Sequence, residues 1–204
     1  MKKVFFDTET TGLKPGQIAQ LSAIIEEDGK ELVAKNYFFK VNYMTDGAAE
    51  VCGRDVEFYL QASDGKIFAD YSDEIEELFK GATLIAHNLN FDENFVSMEF
   101  WRLNKIFKPT DRFDTMTYFK DICNIPGRYG KPKNPKLEEL IDFFKIDKEK
   151  VKKYSEYLFG TDSNGEVGFH DARYDTTAMF VAFQIHKEAM YGQSDWKEKF
   201  TKAD

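Results

Sequence analysis

Val4-Phe5-Phe6-Asp7-Thr8-Glu9-Thr10-Thr11-Gly12-Leu13 decides how the rest of the chain is read. A short apolar run passes into two carboxylates spaced i and i+2, and a glycine turn follows. Side chains alternate across a β-strand, so Asp7 and Glu9 share one face at the end of a strand. Two acids held side by side repel each other and lose hydration, and a bound cation relieves both costs. The stretch predicts a metal site at a strand end, with phosphate chemistry as its use.

Outward from this stretch, residues 4–7 read as a buried strand. Residues 18–26 and 31–41 read as two more, joined at the hairpin signal Asp28-Gly29. Residues 42–69 read as irregular. A helix is predicted over 71–80, with Ile75, Leu78 and Phe79 on one stripe and Gly81 as its stop. A short strand follows over 83–87, then an amphipathic helix over 91–107 that ends before Pro109. Residues 111–114 read as a fifth strand, leading into a helix to about Cys123. Five prolines and glycines make 124–136 a loop. A helix over 137–144, a basic segment, a glycine-rich mobile loop over 160–168 and a last helix over 171–190 complete the chain. Strands that first meander and then alternate with helices predict an α/β fold with a mixed sheet.

The composition agrees with one globular domain. The chain has 204 residues, of which 42% are hydrophobic and 16% aromatic, enough for a full core. Residues 1–190 are expected to form that domain and 191–204 a polar tail. No apolar stretch approaches the roughly 20 residues that cross a membrane. Met1-Lys2-Lys3 is followed by only three apolar residues, too few for a signal-peptide core, so a cytoplasmic location is expected. Cys52 and Cys123 are read as free thiols. A net charge of −8 argues against a passive nucleic-acid binder, which carries a basic surplus. It leaves room for an enzyme that meets phosphates through cations.

Spacing alone does not single out the acids. D-x-E occurs at Asp7/Glu9, Asp55/Glu57 and Asp147/Glu149, and only the first follows an apolar strand and precedes a glycine turn. The other two read as solvated surface. His-x4-Asp occurs at His87/Asp92 and His170/Asp175. Asp92 falls in the first turn of a helix that leaves a strand end, the place where ligands collect in open α/β sheets. Five helical positions turn by about 500°, so His170 and Asp175 would not share a helix face. His170 is therefore placed on the loop or first turn and Asp175 inside the helix. His186, beside Lys187 and Glu188, reads as surface. Together, four acids at element ends and one histidine fit a site for hard divalent cations and an attacking water. A neutral histidine suits removal of that water's proton near pH 7.

Three stretches, F-F-D-T-E-T-T-G-L, A-H-N-L-N-F-D-E-N-F and H-D-A-R-Y-D-T, resemble in order the three motifs of the DEDDh 3′→5′ exonucleases. Within that family the nearest look is to the proofreading epsilon type of bacterial DNA polymerase III. The resemblance covers residues 2–190 and implies a ribonuclease-H-like fold with a mixed five-stranded sheet flanked by helices. It implies that Asp7, Glu9, Asp92 and Asp175 hold two Mg²⁺ or Mn²⁺ ions and that His170 orients or deprotonates the water. The implied partner is nucleic acid with a free 3′ end, cut to 5′-mononucleotides. By the same resemblance His87 is not the base, and Thr11, Gly12 and Leu13 meet the last nucleotide. One departure stands out. The family carries a His-Gly-Ile-Thr-like segment near its 3′-end pocket, and the aligned piece here is Val51-Cys52-Gly53-Arg54-Asp55. The tail shows no clamp-binding motif that would attach the chain to a polymerase.

Arg128, Tyr129, Lys131, Lys133 and Lys136 make a basic loop with an aromatic, a composition that can track a single strand and stack a base. Lys148, Lys150, Lys152 and Lys153 read as a solvated helix face. Three other functions compete with a DNA exonuclease. One is an RNA 3′-end trimming enzyme of the same family. Another is an inactive ribonuclease-H-like interaction module, which loss of an acid would favour. The last is a haloacid-dehalogenase-type phosphatase, for which Glu9 stands where a second Asp belongs and no late Lys and acid pair is found.

Overall fold

A computed structural model describes residues 1–13, 16–161, 167–192 and 200. The strands are β1 (Lys2–Thr10), β2 (Ile18–Glu27), β3 (Val33–Phe38), β4 (Thr83–Ala86) and β5 (Asp111–Asp114). They form one mixed five-stranded sheet in the order β3-β2-β1-β4-β5. β1 lies at its centre, antiparallel to β2 and parallel to β4.

Alternation along β1 sorts its residues between two layers. Val4 and Phe6 pack with α3 (Phe68–Phe79) and α4 (Leu89–Arg102) on one side. Phe5 packs on the other side with α7 (Leu137–Phe143), α8 (Lys148–Phe159) and α9 (Ala172–Tyr191). The Phe6 ring meets Phe79 at 5.0 Å and the Phe5 ring meets Phe180 at 5.0 Å, both edge-on, the geometry that ring quadrupoles favour. Continued two residues further, the same alternation sends Thr8 towards α4, and Asp7 and Glu9 towards α9. A register shift between Glu9 and Thr10 then ends the regular ladder.

Three stretches differ from the sequence expectation. Residues 42–69 hold two helices, α1 (Asp46–Cys52) and α2 (Val56–Ala62). Each has only seven residues, too short for a periodic stripe, and each is set by its cap. Thr45 Oγ1 accepts from the Ala48 N–H at 3.2 Å, and Asp55 Oδ1 accepts from the Phe58 N–H at 2.8 Å. The basic run lies on the helix α8, in keeping with its reading as a helix face; α8 is capped by Asp147, whose Oδ1 accepts from the Glu149 N–H at 2.9 Å. Asp55 and Asp147, the leading acids of the two competing D-x-E pairs, are therefore both helix caps. α4 ends at Arg102, earlier than the amphipathic pattern suggested. The link from β5 to α7 holds α5 (Thr115–Tyr118), α6 (Lys120–Cys123) and a 3₁₀ turn over Arg128–Gly130. Part of the glycine-rich 160–168 segment and most of the tail lie outside the described residues. Among those described, no helix is long and apolar enough to cross a membrane.

Candidate metal centre and nucleotide cleft

The end of β1 meets the first turn of α9. Asp7, Glu9 and Asp175 each place a carboxylate oxygen so that the three atoms lie within 4.8 Å of one another. Asp175 arrives there because α9 begins at Asp171, whose carbonyl accepts from the Asp175 N–H at 3.0 Å. The His170 backbone N–H favours the charged form of the Asp175 carboxylate. Asp175 Oδ1 is buried and has no hydrogen-bond partner.

Crowding and burial shift these groups strongly. Burial first, and the Asp171 charge second, push the Asp7 carboxyl up to about 7. Burial, then Asp7 and Asp175, hold Glu9 well above the usual carboxylate range. Asp175 is raised in the same direction by burial, Asp7 and Asp171. Without a cation, burial and mutual repulsion favour the protonated forms of these acids.

Asp92 approaches from the other layer, in the first turn of α4. Its Oδ1 accepts from the Thr8 N–H at 3.0 Å and from Thr8 Oγ1 at 2.7 Å. Burial raises its carboxyl and Asp7 adds to the shift, while the two Thr8 bonds work against it. Thr8 thus ties Asp92 to the peptide between Asp7 and Glu9, and the four acids surround one strand end.

Beneath the triangle lies a network that the motif pattern did not reveal. Asp171 is 2% exposed. It accepts from Arg54 Nη2 at 2.5 Å, Arg173 Nη2 at 2.7 Å, Arg173 Nε at 3.0 Å and Gln20 Nε2 at 3.0 Å. It also caps α9 by accepting from the Arg173 N–H at 2.9 Å. Burial acts to raise this carboxyl, and the Arg173 and Arg54 guanidiniums overcome it and hold the group below its ordinary value. A signal for Gln20 exists in the sequence. Gln20 and Ser22 are polar residues at period two in the otherwise apolar first eight residues of β2, paired across from Glu9 and Asp7.

His170 stands just before α9, exposed, in the left-handed backbone region at φ 61°. The other histidines are elsewhere. His87 Nε2 donates to the Pro135 carbonyl at 3.0 Å and Nδ1 lies 3.0 Å from Thr115 Oγ1, so this ring ties β4 to the 124–136 loop. His186 is not simply on the surface. Its ring packs edge-on against Phe119 and Tyr118, and Nε2 lies 3.0 Å from the Tyr118 hydroxyl.

A cleft of about 390 Å³ opens beside the acids, lined by Glu9, Gly12, Leu13, Thr45, Val51 and Phe91 among others. Gly12 is needed at this wall, since a Cβ there would lie 3.0 Å from Thr45 Cγ2. Leu13 is 81% exposed and projects over the cleft mouth. Thr11 is fully buried instead, and its polar groups are used internally. Its hydroxyl accepts from the Gln17 N–H at 2.9 Å and its carbonyl from the Thr45 N–H at 2.9 Å. Arg128, Tyr129 and Lys131 are exposed, and none of them is in this cleft wall. Lys133 of the same loop is paired with Glu139 at 2.5 Å.

Comparison with known proteins agrees with this architecture. The family model described as Exonuclease matches residues 4–183. The epsilon subunit of DNA polymerase III from Salmonella typhimurium is 29% identical over 159 residues, covering 73% of this chain and 63% of that protein. Its counterpart from Rickettsia prowazekii is 30% identical over 158 residues, covering 72% and 64%. The chain thus spans less than two thirds of the length of these relatives. Among solved structures, Escherichia coli exonuclease I in complex with a dT13 oligonucleotide superposes with a TM-score of 0.65 at 19% identity, over 91% of this chain and 41% of that one. That likeness carries the ribonuclease-H-like fold, and the family match sets aside the phosphatase alternative. With a match that runs from the centre of the sheet through the first turns of α4 and α9, the chain belongs to the exonuclease family.

Proposed function

We propose that residues 1–190 form a divalent-metal-dependent 3′→5′ exonuclease that releases 5′-mononucleotides, with residues 191–204 a tail. The observation that carries this reading is the triangle of Asp7, Glu9 and Asp175, in which a buried Asp175 oxygen has no donor of its own. An oxygen left in that state costs about 1–3 kcal/mol, and a hard cation with oxygen ligands removes the cost. Asp7, Glu9, Asp92 and Asp175 are the residues that would hold Mg²⁺ or Mn²⁺. Two such ions supply an activated water and charge stabilisation at the leaving oxygen.

The chain's own groups divide the remaining work. Leu13 and Phe91 form the apolar walls between which the terminal base sits. Gly12 lets the strand end approach the backbone. His170, exposed just before α9, takes the proton of the attacking water. Arg128, Tyr129 and Lys131 meet the strand further from its end.

The test uses 5′-labelled single-stranded DNA and RNA with a free or a phosphate-blocked 3′ end, in Mg²⁺, Mn²⁺ or EDTA. Stepwise shortening of the free-ended DNA, absent in EDTA and on the blocked end, is expected. Equal cutting of both ends would overturn the polarity. Preference for the RNA arm would make the enzyme an RNA trimmer.

A further inference from the structure

Arg54 lies in the segment that departs from the family pattern. With Gly53 placed on the glycine of that segment, Arg54 takes the position of its isoleucine. The side chain is 9% exposed and pairs with Asp171, 117 residues away. Its Nη1 also donates to Gln20 Oε1 at 3.1 Å, and its guanidinium carbon lies 4.7 Å from the centre of the Phe58 ring. A fork that reaches two partners and stacks on a ring suits arginine and not lysine.

What Asp171 holds makes this contact matter. Asp171 follows His170, and His170 has a left-handed backbone. A side-chain-bearing residue keeps that conformation only where its surroundings over-determine it. Two restraints do so. The Asp171 N–H donates to the Gly168 carbonyl at 3.0 Å. The Asp171 side chain is gripped by Arg54, Arg173 and Gln20. Arg173 belongs to the same helical turn and would move with it. Arg54 and Gln20 anchor the turn to other elements. Arg54 alone reaches it from beside the cleft wall, since α1, whose Val51, Ala48 and Gly47 line the cleft, ends at Gly53.

We propose that Arg54 is a positioning residue for hydrolysis: through Asp171 it fixes the turn that aims His170 and locks that turn to the wall of the nucleotide cleft. The inference rests on His170 being the group that orients the water. A displacement of about 1 Å at such a group can cost roughly 100-fold in rate.

The experiment is a double-mutant cycle read on a 5′-labelled single strand, joined to histidine NMR. R54M should lower kcat about 10- to 100-fold with KM within about threefold, and R54K should recover only part of the loss. In the H170A background R54M should cost less than about twofold, because the positioned group is gone. The same R54M factor in both backgrounds, or an unchanged kcat, would overturn the proposal. With three histidines in the chain, the His170 imidazole signals are identified by their absence in H170A. In R54M they should shift or broaden while those of His87 and His186 stay in place. This readout needs no turnover. If the wild-type chain proves inactive, the exonuclease reading falls and unmoved His170 signals in R54M would separately overturn the positioning.

Discussion

Asp171 and Asp175 are one helical turn apart, the first buried and the second half-buried against the same sheet with its Oδ1 covered, and the fold treats them in opposite ways. Around Asp171 it gathers two guanidiniums, an amide and a backbone N–H. The carboxyl ends below its ordinary value in spite of burial. Around Asp175 it places other acids and leaves Oδ1 without a donor, and the carboxyl ends well above its ordinary value. Burial removes hydration from both, so burial does not tell a structural carboxylate from a site carboxylate. The donors around it do. The arginines available nearby were directed to the neighbour of the triangle, not to the triangle itself.

The largest expected effect breaks the comparison on the side of Asp175. D175A, like D7A, should lower exonuclease activity by more than about 10³-fold in Mg²⁺ with an unchanged circular dichroism spectrum. Retained activity in either would mean that the crowded acids do not hold the ions. The second effect is on stability and has opposite signs at the two positions. D171N removes one partner from a buried ionic cluster and should cost about 3–5 kcal/mol in urea unfolding. D175N, measured in EDTA at pH 8, removes an uncompensated charge and should gain about 1–2 kcal/mol. Equal signs would dissolve the distinction.

The third effect is on pH dependence, and its sign follows from Asp7. Its carboxyl is raised from 3.8 to about 7, so the folded chain holds a proton that the unfolded chain has lost. The Asp7 contribution to the stability of the metal-free protein is therefore fully present below about pH 4, is lost as pH rises through 7, and levels off above. Mn²⁺ should accordingly raise the melting temperature more at pH 8 than at pH 5.5. A flat difference would place the ions elsewhere. The smallest effect concerns charges that are neither gripped nor crowded. R128A with K131A should weaken binding of a single strand a few-fold and make it less dependent on salt, by a slope of about one per cation lost. An unchanged slope would move the strand off that loop.

Much of this was legible from residue order, for reasons that differ by element. The convergence of Asp7 and Glu9 follows from a period of two at the end of an apolar strand, a local rule that needs no partner. Asp92 and Asp175 were candidates by their place at element ends, and the motif resemblance joined them to Asp7 and Glu9, because the turn that brings each to the strand end is tertiary. α1 and α2 escaped notice because seven residues give less than two full turns of periodicity. Their caps, Thr45 and Asp55, were the available signals. Arg54 had no local signature, since its partner lies on the other side of the chain. Gln20 and Ser22 did have one: two polar residues on a single face of a buried strand ask what they face.

The acid triangle joins the first strand to the last helix, and this has a consequence in time. A growing chain makes Asp7 and Glu9 almost at once and Asp175 only near the end. Contacts between such distant positions form after local ones, because the intervening loop must first be closed. Through synthesis and refolding alike, the early acids stand at an incomplete site. On the proposed function, competence to bind metal would arrive with the docking of α9 on the sheet, and a chain stopped or clipped before that helix is expected to leave nucleic acid uncut.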